Sequence, residues 1–230
     1  IIYYILYMFN AIVSISKNKG IGINNKLPWK LNNDMSRFKI LTVGNNNNSI
    51  IMGYNTWISI DKILTNRHIY ILSTTFKIDE VHNNYEVKSF DDINTLISYI
   101  SLKNYTTNWV IGGSQIYKLF FDKNLINNIY ITLIDKDINC DSFLPPIPKY
   151  FIKNDFRLSP DVYNDKYNIY YVIYQKIKIN QQLIYKKNYN CIVKEIHYDN
   201  LPDIYITISY NNKEAQTTVE NLSIKNSNYL

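Results

Sequence analysis

Val110-Ile111-Gly112-Gly113-Ser114-Gln115-Ile116-Tyr117 and, earlier in the chain, Ile51-Met52-Gly53-Tyr54-Asn55-Thr56-Trp57 are two versions of one pattern. In each, a short apolar run stops at glycine and a helix-forming stretch follows. Uninterrupted apolar runs of this length suit strands buried on both faces, which belong to parallel sheets covered by helices. Glycine at the junction lets a ligand approach the backbone, and the helix behind it offers free N–H groups and its positive end. Either turn alone could be plain chain geometry. Two of them predict a long ligand with two phosphates, such as a dinucleotide, although neither has the G-x-G-x-x-G spacing of the common Rossmann fingerprint.

Outward from these turns the alternation continues. Strands are expected at 11–16, 49–53, 68–73, 109–111 and 128–134, with a weaker one ending near Val87. Helices are expected at 33–42, 54–60, 91–102 and 115–121, the third marked at its start by Ser89 ahead of Asp91 and Asp92. Segments 151–159 and 169–177 read as a hairpin. The fold class that follows is α/β, with a mixed, mostly parallel central sheet flanked by helices and an antiparallel end. Past Asn180 helical periodicity stops. Segments 191–196, 204–210 and 215–219 read as three strands, with turns at 199–203 and at Asn211-Asn212. Two domains are therefore expected: 1–179, and a small all-β module at 181–230 with a faint likeness to SH3-like barrels.

The 230 residues are 46% apolar and 19% charged, enough to bury a core, and the net charge of +6 is scattered rather than gathered into a basic block. That argues against a nucleic-acid-binding stripe and favours small anionic ligands. Cys140 and Cys191 lie far apart, and His68, His82 and His197 are isolated, so neither a zinc site nor a disulfide framework is indicated. A cytoplasmic setting is expected. The apolar start, 1–9, lacks a basic region and is too short to span a bilayer. Met8 is the expected true start, with 1–7 as upstream read-through; the alternative is that these residues extend the first strand.

The other informative stretch is Gly22-Ile23-Asn24-Asn25-Lys26-Leu27-Pro28-Trp29-Lys30-Leu31-Asn32-Asn33-Asp34. It sets one carboxylate after an apolar loop, and on the helix that begins there Asp34 and Phe38 share a face. An acid beside an aromatic ring in an apolar cleft can grip a flat, nitrogen-rich heterocycle, the acid pairing with ring N–H groups and the ring stacking. The plainer alternative is a helix-start acid that serves as a cap or a dipole partner.

At this point the chain resembles the dihydrofolate reductases over roughly residues 9–177. The matching motifs, in family order and spacing, are Gly20-Ile21-Gly22, Leu27-Pro28-Trp29, Asp34 with Phe38, Ile51-Met52-Gly53 with Thr56-Trp57, Arg67, Leu72-Ser73, Ile111-Gly112-Gly113 with Tyr117, and Thr132. The resemblance implies reduction of 7,8-dihydrofolate to tetrahydrofolate by hydride transfer from NADPH to the pterin C6. It assigns Asp34, Thr132, Leu27 and Trp29 to the catalytic set, with Thr132 bonding the acid from a neighbouring strand. Substrate would be bound by Ile12, Val13, Asp34, Phe38, Leu64, Arg67, Ile111, Tyr117 and Thr132, Arg67 clamping the carboxylate of the glutamate tail. The cofactor would lie along Ser14, Ile21, Gly22, Gly53, Tyr54, Asn55, Thr56, Leu72, Ser73, Thr74, Ile111, Gly112, Gly113, Ser114, Gln115, Ile116 and Tyr117. A mobile lid at 20–29 and a cis Gly112–Gly113 peptide are implied as well.

This chain departs from the family pattern in places. Ser14 stands where Ala is usual. Tyr54, Asn55 and Thr74 are uncharged where relatives often carry a basic residue, which leaves open the choice between NADPH and NADH; Ser73, Thr74, His68 or Lys77 could hold the 2′-phosphate. By residue type alone, Arg67 beside a turn would be solvent-exposed. A same-fold reductase of a riboflavin precursor would share the glycine turns but has no need of the Trp29, Asp34 and Arg67 set. A fused thymidylate synthase is not expected, since Cys191 lacks a Pro-Cys-His context, and the intact Asp34, Gly112 and Gly113 argue against a binding protein without catalysis. For 181–230 the expected roles are peptide or protein binding, self-association, or covering an exposed edge strand.

Overall fold

The computed structural model describes residues 9–60, 63–163, 167–200 and 203–224. The expectations for residues 1–7, for a start at Met8 and for a bend at Pro202 fall outside them. The chain divides into two compact units, one of Ile1–Pro145 with Arg157–Tyr171 and one of Pro146–Phe156 with Val172–Leu230.

In chain order the elements of the α/β part are β1 (Phe9–Ser16), β2 (Gly20–Gly22), α1 (Asn32–Val43), β3 (Asn48–Gly53), α2 (Tyr54–Ser59), β4 (His68–Leu72), β5 (Asp79–His82), β6 (Tyr85–Phe90), α3 (Ile93–Ser101), β7 (Thr107–Gly112), α4 (Ser114–Asp122), β8 (Ile126–Ile134), β9 (Ser142–Phe143), β10 (Phe151–Tyr163) and β11 (Tyr167–Lys176). One sheet has the order β10-β11-β8-β1-β7-β3-β4-β6-β5. β1 runs parallel to β7 and β8, β3 to β4 and β7, and β4 to β6, while β5 returns antiparallel to β6. The apolar runs are the reason. Ile50, Ile51 and Met52 on β3 and Ile69, Tyr70 and Ile71 on β4 are all fully buried, which only a sheet covered on both faces allows.

The helices are fixed by few but specific contacts. α4 buries Tyr117, Phe120 and Phe121, with the Phe120 ring edge-on to Phe9 of β1 at 5.3 Å. Burying one such ring stabilises the fold by about 2–3 kcal/mol. α3 buries Ile93, Leu96 and Ile100. Its cap is Asp92, whose carboxylate accepts from the N–H groups of Asn94 and Thr95, and not Ser89. Ser89 lies inside β6, where its hydroxyl accepts from the Ile78 N–H at 2.9 Å. α1 is barely amphipathic and fully buries only Thr42, with Phe38 and Leu41 packed half-buried against the core.

The second unit contains β12 (Gln182–Tyr185), β13 (Tyr189–Asn200), β14 (Asp203–Tyr210), β15 (Lys213–Thr217), a 3₁₀ turn at Val219–Asn221 and β16 (Leu222–Ser223). The expected three strands are in fact five, because β12 and β16 are too short to show alternation, and Val219 belongs to the 3₁₀ turn rather than a strand. Their order is β15-β14-β13-β12-β16, antiparallel throughout. Leu183, Tyr185, Cys191, Val193, Ile206, Ile208 and Leu222 close a core that also takes in Ile152 and Ile177.

Candidate active site

A cleft of about 1300 Å³ crosses the carboxyl ends of the parallel strands of the first unit. It runs from Ile12 and Ser14 on β1, past the ends of β7 and β3, to Leu72 and Ser73 at the end of β4 and Asp91 just beyond β6. That volume exceeds the usual span for one small ligand, about 300–1000 Å³, and leaves room for two side by side.

At its β1 end stands Asp34, in the first turn of α1 with Phe38 one turn on, and both side chains reach the cleft. Asp34 is not the helix cap. Its Oδ1 accepts a 2.5 Å hydrogen bond from the Thr132 hydroxyl on β8. β1 and β8 are in parallel register with Ser14 opposite Thr132, which sets the acid over the same stretch of sheet as the cleft floor. Asp34 is half-buried in the first turn of the helix, where it can also meet the helix dipole, and its bond from Thr132 on β8 is an additional contact that a dipole role alone does not require.

The two glycine turns lie side by side, because β3 and β7 are neighbours with Met52 opposite Gly112. A Cβ placed on Gly53 would stand 3.0 Å from Ile116 Cγ1, and one on Gly113 would stand 3.5 Å from Thr56 Oγ1. Each turn thus leans on the helix of the other. Gly113 and Gly53 open α4 and α2 without side-chain caps. The Gly112–Gly113 peptide is cis, and Gly112 has φ +106. A Cβ there would meet the Tyr117 ring at 2.9 Å, a ring pinned by the bond from its hydroxyl to the Ile12 carbonyl at 2.7 Å.

Most of the expected site residues line this cleft; Thr132, Trp29, Arg67 and Gly112 do not. Thr132 acts through Asp34. Trp29 is buried behind the wall among Leu31, Ile134 and Ile169. Arg67 departs from the exposure its residue type suggests and is only 3% exposed. Its Nε donates to the Thr65 carbonyl at 3.0 Å and its Nη1 to Thr42 Oγ1 at 2.6 Å, with the Phe38 ring centre 5.8 Å away. No carboxylate pairs with it among the described residues. Burial without a counter-charge pulls its guanidinium down to about 10.

His68 is misassigned by the sequence reading. It begins β4, at the strand end away from the cleft, where its ring stacks near Tyr105 at 4.8 Å. Lys77 is ion-paired with Asp91, and it is Asp91 that reaches the cleft. The sequence reading also missed the β9 side of the cleft. β2 pairs with β9, the Asn24 N–H donates to Asp141 Oδ2 at 2.7 Å, and Ser114 Oγ donates to the Phe143 carbonyl at 2.6 Å. These contacts tie the loop that carries the 51%-exposed Leu27 to the start of α4. Short polar stretches such as Asp141-Ser142 carry no periodic signal that would reveal them. Among the described residues no cluster of three or more His, Cys, Asp or Glu could hold a metal, and no helix is long and apolar enough to cross a membrane.

The sequence profile of the dihydrofolate reductases matches residues 8–176. The chain is 34% identical to the dihydrofolate reductase of Heliothis virescens over 148 residues, 61% of this chain and 80% of that one. To the dihydrofolate reductase of Bos taurus it is 34% identical over 169 residues, 68% of this chain and 90% of that one. The bifunctional dihydrofolate reductase-thymidylate synthase of Plasmodium berghei (strain Anka) is 34% identical over 193 residues, 74% of this chain but 32% of the longer protein.

Proposed function

The chain belongs to the dihydrofolate reductase family, and from that premise we propose that it reduces 7,8-dihydrofolate to 5,6,7,8-tetrahydrofolate, with Asp34 gripping the pterin and NADPH resting on the two glycine turns. The observation that carries this reading is the Thr132–Asp34 bond at the head of a cleft that runs on over both turns. The residues present fit a nicotinamide dinucleotide. The turns hold two backbone surfaces that any side chain at Gly53 would crowd, and Ser14 Oγ is buried without a partner among the described residues. NADPH, when bound, supplies the hydride that adds to the pterin C6.

The chain's own groups do the rest. Asp34, ionised, accepts from the pterin 2-amino group and N3, and so fixes which face of the ring is presented. Thr132 holds the acid by donating to it. Because the acid is engaged at the pyrimidine edge, N5 takes its proton from water. Phe38, Ile12, Val13, Leu64 and Ile111 enclose the ring, and Tyr117 borders the nicotinamide. The loop from Gly20 to Trp29, clasped by β9, excludes water during transfer; Trp29 anchors its base and Leu27 covers the reacting rings. Arg67, buried beside Phe38 with no carboxylate partner among the described residues, is the group that the family resemblance assigns to the glutamate carboxylate. The direct test is matched consumption of NADPH and dihydrofolate by the purified chain; NADPH loss that does not depend on dihydrofolate would sink the reading.

At the adenosine end Tyr54, Asn55 and Thr74 bring no charge, and Lys77 is taken up by Asp91. Exposed ion pairs contribute about 1 kcal/mol or less, so the 2′-phosphate gains little here. The expected preference for NADPH over NADH is about tenfold or less in kcat/KM; a preference of a thousandfold would contradict this.

For 181–230 we propose an SH3-like module added to a reductase domain at 1–179. Its support is the meander β12 to β15 and a 3₁₀ turn that brings β16 back to pair with β12, Tyr185 opposite Leu222. Peptide capture, self-association and edge covering are separated by comparing sedimentation and activity of the full chain with those of Ile192→Asp and Tyr205→Asp variants.

A further inference from the structure

Thr132 is held from two sides. Its Oγ1 donates to Asp34 at 2.5 Å and accepts from Arg37 Nη1 at 3.2 Å. Arg37 stands three residues after Asp34 on α1, so the two side chains leave the same face of the helix. Its guanidinium lies over the Tyr171 ring of β11, 4.3 Å from the centroid, which fixes the plane of the fork. A guanidinium has donors and no acceptor. With Arg37 donating to it, the Thr132 oxygen cannot turn its own hydrogen that way, and its other partner among the described residues is the carboxylate.

We propose that Arg37 is a positioning residue for this reaction: it orients the Thr132 hydroxyl toward Asp34 and, through its own charge, keeps that carboxyl in the ionised form that grips the pterin. The inference rests on the assignment of Asp34 made above. Other titratable groups face the trio. On β8, Tyr130 has its phenol pushed up by burial, with Arg37 acting in the opposite direction. Tyr171 lies beneath the guanidinium on β11, and Lys26 and Asp141 line the same cleft as Asp34. None of these can replace a cation bonded to Thr132.

Three variants separate charge, hydrogen bond and packing. Arg37→Lys keeps the charge, Arg37→Gln keeps a donor without charge, and Arg37→Met keeps only the stem. Removing a positive charge raises the pKa of every neighbouring acid, so the direction holds whichever of the coupled groups, Asp34 or the bound pterin, loses the proton. The apparent pKa in the pH profile of kcat should rise by about one unit in Arg37→Gln and Arg37→Met and stay within about a third of a unit in Arg37→Lys. The pH-independent limit of turnover should fall about threefold to tenfold in Arg37→Met, where Thr132 loses its second partner, with Arg37→Lys restoring most of it. If all three variants keep the parent pH profile while only the melting temperature falls, Arg37 merely packs and the proposal is overturned. Asp34→Asn, assayed alongside, separates the two failures. Near-normal turnover in that variant removes the reading on which the proposal rests. An inactive Asp34→Asn with unshifted Arg37 variants removes the role of Arg37 alone.

Discussion

Arg67 shows what a single residue can hide in a sequence. An arginine beside a turn reads as solvated, yet here it is buried against Phe38 and, among the described residues, donates to the neutral oxygens of Thr65 and Thr42. Burial that depresses its guanidinium to about 10 still leaves it charged at neutral pH. Arg67→Lys keeps the charge and loses the fork, and is expected to raise KM for dihydrofolate about tenfold or more with kcat nearly unchanged. A variant KM equal to that of the parent would show that the carboxylate lies elsewhere. Gly112 is a stricter case. Alanine there must accept φ +106 and a contact of 2.9 Å with the pinned Tyr117 ring, so Gly112→Ala should lower stability by about 2–3 kcal/mol in denaturant unfolding. At this scale the acid and the glycine turns each admit plainer uses, and it was their joint occurrence, in order and spacing, that made them legible. Arg37 was not, because an arginine on a polar helix normally signals only a solvated face.

Among elements, the β4, β6 and α3 edge is joined by one carboxylate. Glu86 accepts from Tyr70 at 2.6 Å, Lys103 at 2.7 Å and Tyr99 at 3.1 Å. Burial pushes this carboxyl up, but the hydrogen bonds from Lys103, Tyr70 and Tyr99 outweigh it and hold the group near about 2, against 4.5 for a free glutamate. Since the folded value lies below the unfolded one, the stabilisation is present above 4.5 and is lost as pH falls toward 2. Glu86→Gln should cost on the order of 2 kcal/mol at neutral pH, a figure reduced for the partial exposure of the group, and should flatten the acid limb of a stability-versus-pH curve. An unchanged acid limb would show that another carboxylate controls it. The strands and helices of the parallel sheet were legible because each carries a whole apolar run. The boundaries moved where capping chemistry decides, as with Asp92 in place of Ser89, and short pairings such as β12 with β16 left no pattern to read.

At the scale of the molecule, the sheet order puts the ends of β1, β7, β3, β4 and β6 in one row, and the cleft follows that row. That is why residues scattered from Ile12 to Phe143 converge, and why local periodicity could foretell the layers but not the β9 wall. The second unit has its own core, which includes Ile152 and Ile177 as well as later residues. Deleting 181–230 would strip the apolar partners from those two side chains, so the shortened chain should melt lower and self-associate; a shortened chain with an unchanged melting temperature would show that Ile152 and Ile177 find cover without it.

The account turns on the carboxylate of Asp34, and single-turnover hydride transfer from NADPH to dihydrofolate by Asp34→Asn, followed through the nicotinamide absorbance at neutral pH, tests it most directly. The asparagine is isosteric and leaves Thr132 a partner, so the protein should stay folded and bind NADPH while the transfer rate falls by about a hundredfold or more. A rate within a few-fold of the parent's would contradict the central claim.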